Sequence, residues 1–167
     1  MRQPHYADQG SAAEPRILPL PAVAGVAVRD LVESVLAGHA ARTPAASAVT
    51  VTVDVPAAAV LGGDPAPFRV VVERLVASAF AAASAPRPHG EGPILREVVI
   101  TAVQGADALE LEIADSGPSS SADDRCPAHV RELVARCGGS LHVAACAEGG
   151  IAVTVRVPRR EARRQAA

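Results

Sequence analysis

The sequence has no lysine and no tryptophan, and aromatic residues make up only 2% of its 167 residues. A hydrophobic core must therefore be built mainly from Val, Leu, Ile and Ala, which suits a sheet covered by Ala-rich helices. The exclusive use of arginine as the basic residue, with an excess of Ala and Pro, indicates a high-GC bacterial source. The formal net charge of -2 gives no overall attraction to nucleic acid or to an anionic membrane.

Long apolar runs are also missing. None reaches the roughly 18 residues of a spanning helix, and residues 1–14 lack the apolar core of a signal peptide, so a cytoplasmic protein is expected. Three cysteines without a C-x-x-C pair make a disulfide framework unexpected. A metal site would have to combine cysteines and histidines whose spacings match no common zinc pattern, and we predict none. These residues are Cys126, His129, Cys137, His142 and Cys146.

The length predicts one domain, over residues 22–158. It is preceded by a polar leader at 1–21, expected to be disordered, and followed by a basic tail at 159–167. Hydrophobic periodicity predicts three helices, each followed by two strands. The helices are expected from Val26 to a point between Gly38 and Pro44, over 65–84, and over 127–137. A glycine cap at Gly138-Gly139 is expected to end the third helix. The strands are expected at 48–55, 60–61, 95–103, 108–114, 140–145 and 150–157.

This order predicts an α+β fold, a two-layer sandwich in which three helices cover one face of a single sheet. Three motifs punctuate it: Gly62-Gly63-Asp64 before the long helix, Asp115-Ser116-Gly117-Pro118 after an apolar strand, and R-E-L-V-x-x-x-G-G from Arg131. Together, from about residue 26 to 158, they resemble the ATP-binding domain of bacterial sensor histidine kinases, which has the Bergerat-type ATPase fold. The resemblance implies a mixed, mostly antiparallel sheet.

The resemblance implies that Asp115 accepts a hydrogen bond from the adenine amino group, since an ionised carboxylate is purely an acceptor. It implies that Gly117, which has no side chain, lets the base approach the backbone. The alternative interpretation is an ordinary exposed turn, because Asp, Ser, Gly and Pro are the residues that turns favour.

The long helix departs from the family pattern. The family holds magnesium through an N-x-x-x-N-A motif, and here Arg74 and Ser78 stand at the two asparagine positions. A serine hydroxyl is shorter than an amide, and an arginine cannot ligate a cation. Arg74 could contact phosphate, or it could lie with its aliphatic stem over apolar neighbours.

The phosphate-binding lid also departs from the pattern. Ser119 replaces the last glycine of the first glycine-rich box, and residues 124–127 stand where the second box is expected. The connector over 118–128 is too short for a lid, and Asp123 and Asp124 would repel a triphosphate or simply favour a helix start. None of the five histidines is followed by the acidic and apolar residues of the family's phosphoacceptor.

These departures predict a stand-alone, catalytically inactive, histidine-kinase ATPase-like domain that acts as a protein-binding or regulatory module in bacterial signal transduction. No cofactor is expected, and the vestigial pocket would comprise Asp115, Gly117, Ser78 and Arg74. One alternative is an ATP- and Mg²⁺-dependent protein kinase of the histidine-kinase or anti-sigma-factor type, acting on a separate partner. Another is a purine or small-ligand sensor without hydrolysis. A protein partner is expected, whereas membrane and nucleic-acid partners are not, despite the arginine-rich tail.

Overall fold

The structure is a computed structural model that describes residues 25–43, 48–86, 95–118, 125–147 and 149–159. Within these ranges the chain order is β1, α1, β2, β3, α2, β4, β5, α3, β6, β7. The helices are α1 (Val28–Arg42), α2 (Ala66–Ser84) and α3 (Ala128–Arg136). The strands are β1 (Val26–Ala27), β2 (Thr50–Asp54), β3 (Val60–Leu61), β4 (Glu97–Gln104), β5 (Ala108–Asp115), β6 (Ser140–Ala145) and β7 (Ile151–Pro158).

The main sheet has five strands in the order β2-β4-β5-β7-β6. β2 runs parallel to β4, and the other neighbours are antiparallel, so the predicted mixed, mostly antiparallel sheet is confirmed. The hairpins β4–β5 and β6–β7 each need only a short turn, and β5 and β7 pair with each other to join them. The crossover between the parallel strands β2 and β4 contains α2, because a short hairpin turn cannot connect parallel strands.

Along β4, β5 and β7 the side chains alternate between a covered and an open face. On β4 the covered side chains are Val98, Ile100 and Ala102, and every second residue of β5 and β7 is buried in the same way. The helices lie on this face, and α2 contacts β4, β5, α1 and α3. The α+β sandwich predicted from the sequence is therefore the observed architecture, with a core dominated by aliphatic residues.

The structure differs from the expected order at the start of the domain. Val26–Ala27 is a short strand rather than the first turn of α1, and it pairs with Val60–Leu61. The predicted strand at 60–61 therefore lies in a separate two-stranded ribbon and not in the main sheet. This ribbon anchors the start of α1, since the Val28 amide donates to the Ala59 carbonyl at 3.0 Å.

The glycine pair after α3 ends the helix as predicted. Gly138 has a φ of 73°, in the left-handed region that glycine adopts readily because it has no Cβ. Its amide donates to Ala135 at 2.8 Å, and the Gly139 amide donates to Val134 at 3.0 Å. These are the two hydrogen bonds of a Schellman cap, which reverses the chain so that β6 can follow directly.

Some sequence predictions lie outside the described residues. They concern the leader at 1–21, the connector after Pro118 up to residue 124, and the tail beyond Arg159.

Candidate functional site

The Asp115-Ser116-Gly117-Pro118 turn begins at the last residue of β5, at one end of the sheet. Ser116 connects the turn to the start of β4. Its Oγ accepts a hydrogen bond from the Glu97 amide at 2.8 Å and donates one to the Leu95 carbonyl at 2.9 Å. Asp115 Oδ1 accepts from the Gly117 amide at 2.8 Å, which closes a local Asx turn. The turn is thus fixed by its own side chains, and the Asp115 carboxylate points into the protein.

Asp115 is one half of a buried ion pair. Arg125 Nη2 lies 3.1 Å from Asp115 Oδ1, and the two side chains are only 6% and 4% exposed for Arg125 and Asp115. The guanidinium also donates to the Pro118 carbonyl at 3.0 Å and the Ser78 carbonyl at 3.4 Å. An arginine matches several acceptors at once because its donors form a planar fork. The acceptor that the sequence singled out is therefore engaged by a side chain of the same chain.

Gly117 packs directly against the long helix. A Cβ built on Gly117 would lie 2.6 Å from the backbone carbon and oxygen of Ala82 in α2. Real Cβ atoms essentially never approach this closely, so only glycine fits this position without a shift of the helix. The absence of a side chain at Gly117 here serves the contact between the turn and α2.

Ser78 lies beside Arg125, on the face of α2 that looks toward this turn. Its Oγ is 3.5 Å from the Arg125 carbonyl, at the limit of a hydrogen bond. Arg74, one helical turn earlier, is exposed. Of the four residues predicted for a vestigial pocket, the structure brings Asp115, Gly117 and Ser78 together around Arg125 and Ala82, and it leaves Arg74 on the surface.

The β6–β7 turn closes the site from another side. Gly150 has a φ of 91°, and a Cβ there would overlap the Asp115 carbonyl oxygen. Burial raises the pKa of the nearby Cys146 thiol, and the carboxylates of Asp115 and Glu112 raise it further. The thiol is therefore held in its neutral form next to the acidic end of β5.

Sequence reasoning missed Arg125 as the partner of Asp115. It placed Arg125 only in the segment that replaces the second glycine-rich box. One available signal was that an aspartate at the end of an apolar strand needs a cation or several donors once it is buried. The sequence offers several arginines, however, and only the fold selects Arg125.

Among the described residues, no group of three His, Cys, Asp or Glu side chains is arranged to hold a metal ion. In the same part of the chain, no helix has the length and apolar character needed to cross a membrane.

Solved structures with the same architecture are numerous. The histidine kinase AdeS of Acinetobacter baumannii superposes with a TM-score of 0.65 over 83% of this chain and 68% of that one, at 16% identity. The ATP-binding domain of PrrB from Mycobacterium tuberculosis gives 0.64 over 83% and 98%, at 20% identity. The mycobacterial sensor histidine kinase MprB gives 0.62 over 81% and 96%, also at 20% identity.

The fold is that of histidine kinase ATP-binding domains. No family model and no curated protein matches the sequence. The likeness to the histidine kinase structures is therefore one of fold. The shared fold covers 81–83% of this chain.

Proposed function

We propose that this domain is a catalytically inactive relative of the histidine kinase ATPases, and that it works as a protein-binding or regulatory module in bacterial signal transduction. The observation that carries the proposal is the buried Arg125–Asp115 pair. If this fold were to bind adenine through Asp115 Oδ1, the base amine would have to compete with a guanidinium that already donates to that oxygen.

Displacing Arg125 would be costly. The arginine would lose its contacts with Pro118 and Ser78 as well as with the carboxylate. Removing one partner of a buried ion pair generally costs about 3–5 kcal/mol, because the other charge is left uncompensated. A purine amine carries no charge and so cannot replace what the guanidinium supplies to Asp115. The contact of Arg125 with Asp115 therefore supports the proposal that the domain does not bind a nucleotide here.

The geometry around α2 supports the same proposal. Phosphoryl transfer requires a metal ion at the phosphates and cationic groups that stabilise charge. Arg74 and Ser78 stand where the family places its two asparagines, and of these two side chains only that of Ser78 has an oxygen that could bind a metal ion. That oxygen lies 3.5 Å from the Arg125 carbonyl. Arg74 is exposed on the surface, one turn away from this contact.

The test is ATP binding and transfer by the complete 167-residue chain. We expect no rise in the melting temperature with ATP and Mg²⁺, since a ligand that binds only the native state would raise it. With labelled ATP we expect no phosphorylated product, either alone or with purified response regulators. Magnesium-dependent stabilisation that is lost in Ser78→Ala, or robust phosphoryl transfer, would instead support the active protein kinase.

A second candidate is purine or small-ligand binding without hydrolysis. The specific observation in its favour is that the Asp115 carboxylate and Gly117 are both retained at the end of β5. Here adenine or adenosine should stabilise the parent protein without magnesium. Asp115→Asn, which keeps the size of the side chain but adds a donor to a pure acceptor, should weaken that stabilisation. A parent protein that shows no response to either compound removes this candidate.

A further inference from the structure

β6 (Ser140–Ala145) is one of the two outer strands of the sheet, and its outer side has no neighbouring strand among the described residues. The Cys146 amide donates inward to Gly150 at 3.1 Å, which fixes the direction of the amides along β6. Because backbone groups alternate in an antiparallel strand, residues 140, 142 and 144 bond to β7. The N–H and C=O groups of Leu141, Val143 and Ala145 therefore point away from the sheet.

The opposite edge, β2 (Thr50–Asp54), is protected. It carries Asp54, whose charge opposes the addition of another strand. Just beyond β2, the Val55 carbonyl accepts a hydrogen bond from Arg29 Nε of α1 at 2.8 Å. A charged residue and a helix side chain thus cover one end of this edge.

β6 lacks three features that protect natural edge strands, namely charge, proline and a bulge. It contains no charged residue and no proline, and it pairs with β7 without a bulge over all of its residues. Leu141 and Val143 on its covered face are only partly buried, and they pack against the core. The edge therefore offers both unpaired backbone groups and apolar side chains.

We infer that β6 is a dimerisation edge, where β6 of a second copy of this chain adds in antiparallel orientation and makes one continuous sheet. In the favoured register, Val143 lies opposite Val143 of the second copy, and Leu141 lies opposite Ala145. Every outward N–H of these residues then meets a carbonyl, which gives about six hydrogen bonds between the strands. Covered faces also continue into covered faces, because opposite residues of an antiparallel pair share a face.

A second copy fits this edge better than a foreign strand does. A foreign strand would itself become a new open edge, whereas two-fold pairing uses both β6 edges and closes the assembly. The pairing is also electrostatically neutral. His142 faces Ala144 of the second copy on the open face, and no two like charges are directly opposed.

Sedimentation velocity of the complete chain tests this inference. A single strand pair buries less than the roughly 1,200–2,000 Å² of a stable complex, so we expect a weak dimer that appears between about 10 μM and 1 mM. Ala145→Pro removes an outward N–H and no bond to β7, and it should weaken the dimer about tenfold or more. Ala145→Ser keeps the N–H and should dimerise like the parent, and the melting temperatures of both variants report whether the fold is intact.

Cross-linking tests the register. In the paired strands the Cα atoms of Val143 and its copy would be about 5.5 Å apart, within the range of a disulfide. Those of His142 and its copy would be about 7–8 Å apart. Val143→Cys should therefore form a covalent dimer faster than His142→Cys, above the background of the parent protein.

A monomer at every concentration overturns the inference, as does a dimer that withstands Ala145→Pro. Faster cross-linking through His142→Cys overturns the register. These outcomes are independent of nucleotide binding, so the inference and the proposed function fail separately.

Discussion

Asp115 and His39 are titratable side chains that the protein treats differently, the first buried and the second only partly buried. Asp115 at the end of β5 is an ion matched by Arg125 and by the Gly117 amide. His39 on α1 lies 4.5 Å from the Phe80 ring of α2, and its Nε2 is buried without a hydrogen-bond partner. A buried charge needs a counter-charge, whereas a histidine can stay neutral against an aromatic ring. The region around Asp115 should therefore lose stability when its counter-charge is removed, and the region around His39 should lose stability at low pH.

The largest effect should come from breaking the paired region. Arg125→Ala leaves the Asp115 carboxylate buried without its cation, and we expect a loss of about 3–5 kcal/mol in the free energy of unfolding. Urea denaturation followed by circular dichroism measures this difference. A loss below about 1 kcal/mol would mean that water or another donor reaches Asp115 and that the pair is not essential.

The matched control removes both charges. In the double variant Asp115→Leu with Arg125→Met, no uncompensated ion remains, and apolar replacements of a buried pair are often close to neutral. The double variant should be more stable than Arg125→Ala alone. Equal instability of the two would assign the loss to the contacts of Arg125 with Pro118 and Ser78 instead of the charge.

A smaller effect tests the packing around the same region. Gly117→Ala places a methyl group against the backbone of Ala82, and overpacking of this kind costs about 1–3 kcal/mol. Thermal unfolding should show a lower melting temperature. Gly105→Ala is the control, since its Cβ would come no closer than 3.3 Å to the Ala108 carbonyl and its φ is not positive. If both variants melt alike, the close contact seen at Gly117 is not maintained in solution.

The smallest effect concerns His39 and depends on pH. Burial lowers the pKa of His39 below its ordinary value of 6.5, and the charge of Arg42 lowers it further. The unfolded chain therefore binds the proton more readily than the folded protein. The stability contributed by neutral His39 is complete above pH 6.5 and is lost as the pH falls through the ordinary pKa and then the lowered one.

Melting temperatures of the parent and of His39→Gln between about pH 8 and pH 5 measure this contribution. Glutamine does not titrate, so the variant should lose less stability on acidification than the parent does. Identical pH profiles would show that His39 remains accessible to protons in the folded state.

Much of the fold was predictable because the periodic patterns are local. The apolar stripe of α2, the alternation in β4 and β5, and the glycine pair after α3 each depend on neighbouring residues. The pairing of Val26–Ala27 with Val60–Leu61 was not predictable from such patterns. Two residues are too few to show a period, and their partner lies far along the chain.

The sequence identified three residues that the structure brings together, Asp115, Gly117 and Ser78, but it did not predict their contacts. The turn at Asp115 and the position of Ser78 followed from the order of motifs. The choice of Arg125 did not, because an ion pair between the end of β5 and a separate segment depends on how helix and sheet pack and follows no spacing rule. The close fit of Gly117 against Ala82 is likewise a property of the packed helix, although the residue itself had been identified.

The alternating backbone of β6 also determines how deuterium enters this strand. In a single copy the amide hydrogens of His142 and Ala144 are held by β7, whereas those of Leu141, Val143 and Ala145 have no strand partner among the described residues and should exchange much faster. Dimerisation through β6 would remove this difference in exchange rate between odd- and even-numbered residues. The exchange rates of the five amides from 141 to 145 therefore report whether β6 is paired with a second copy.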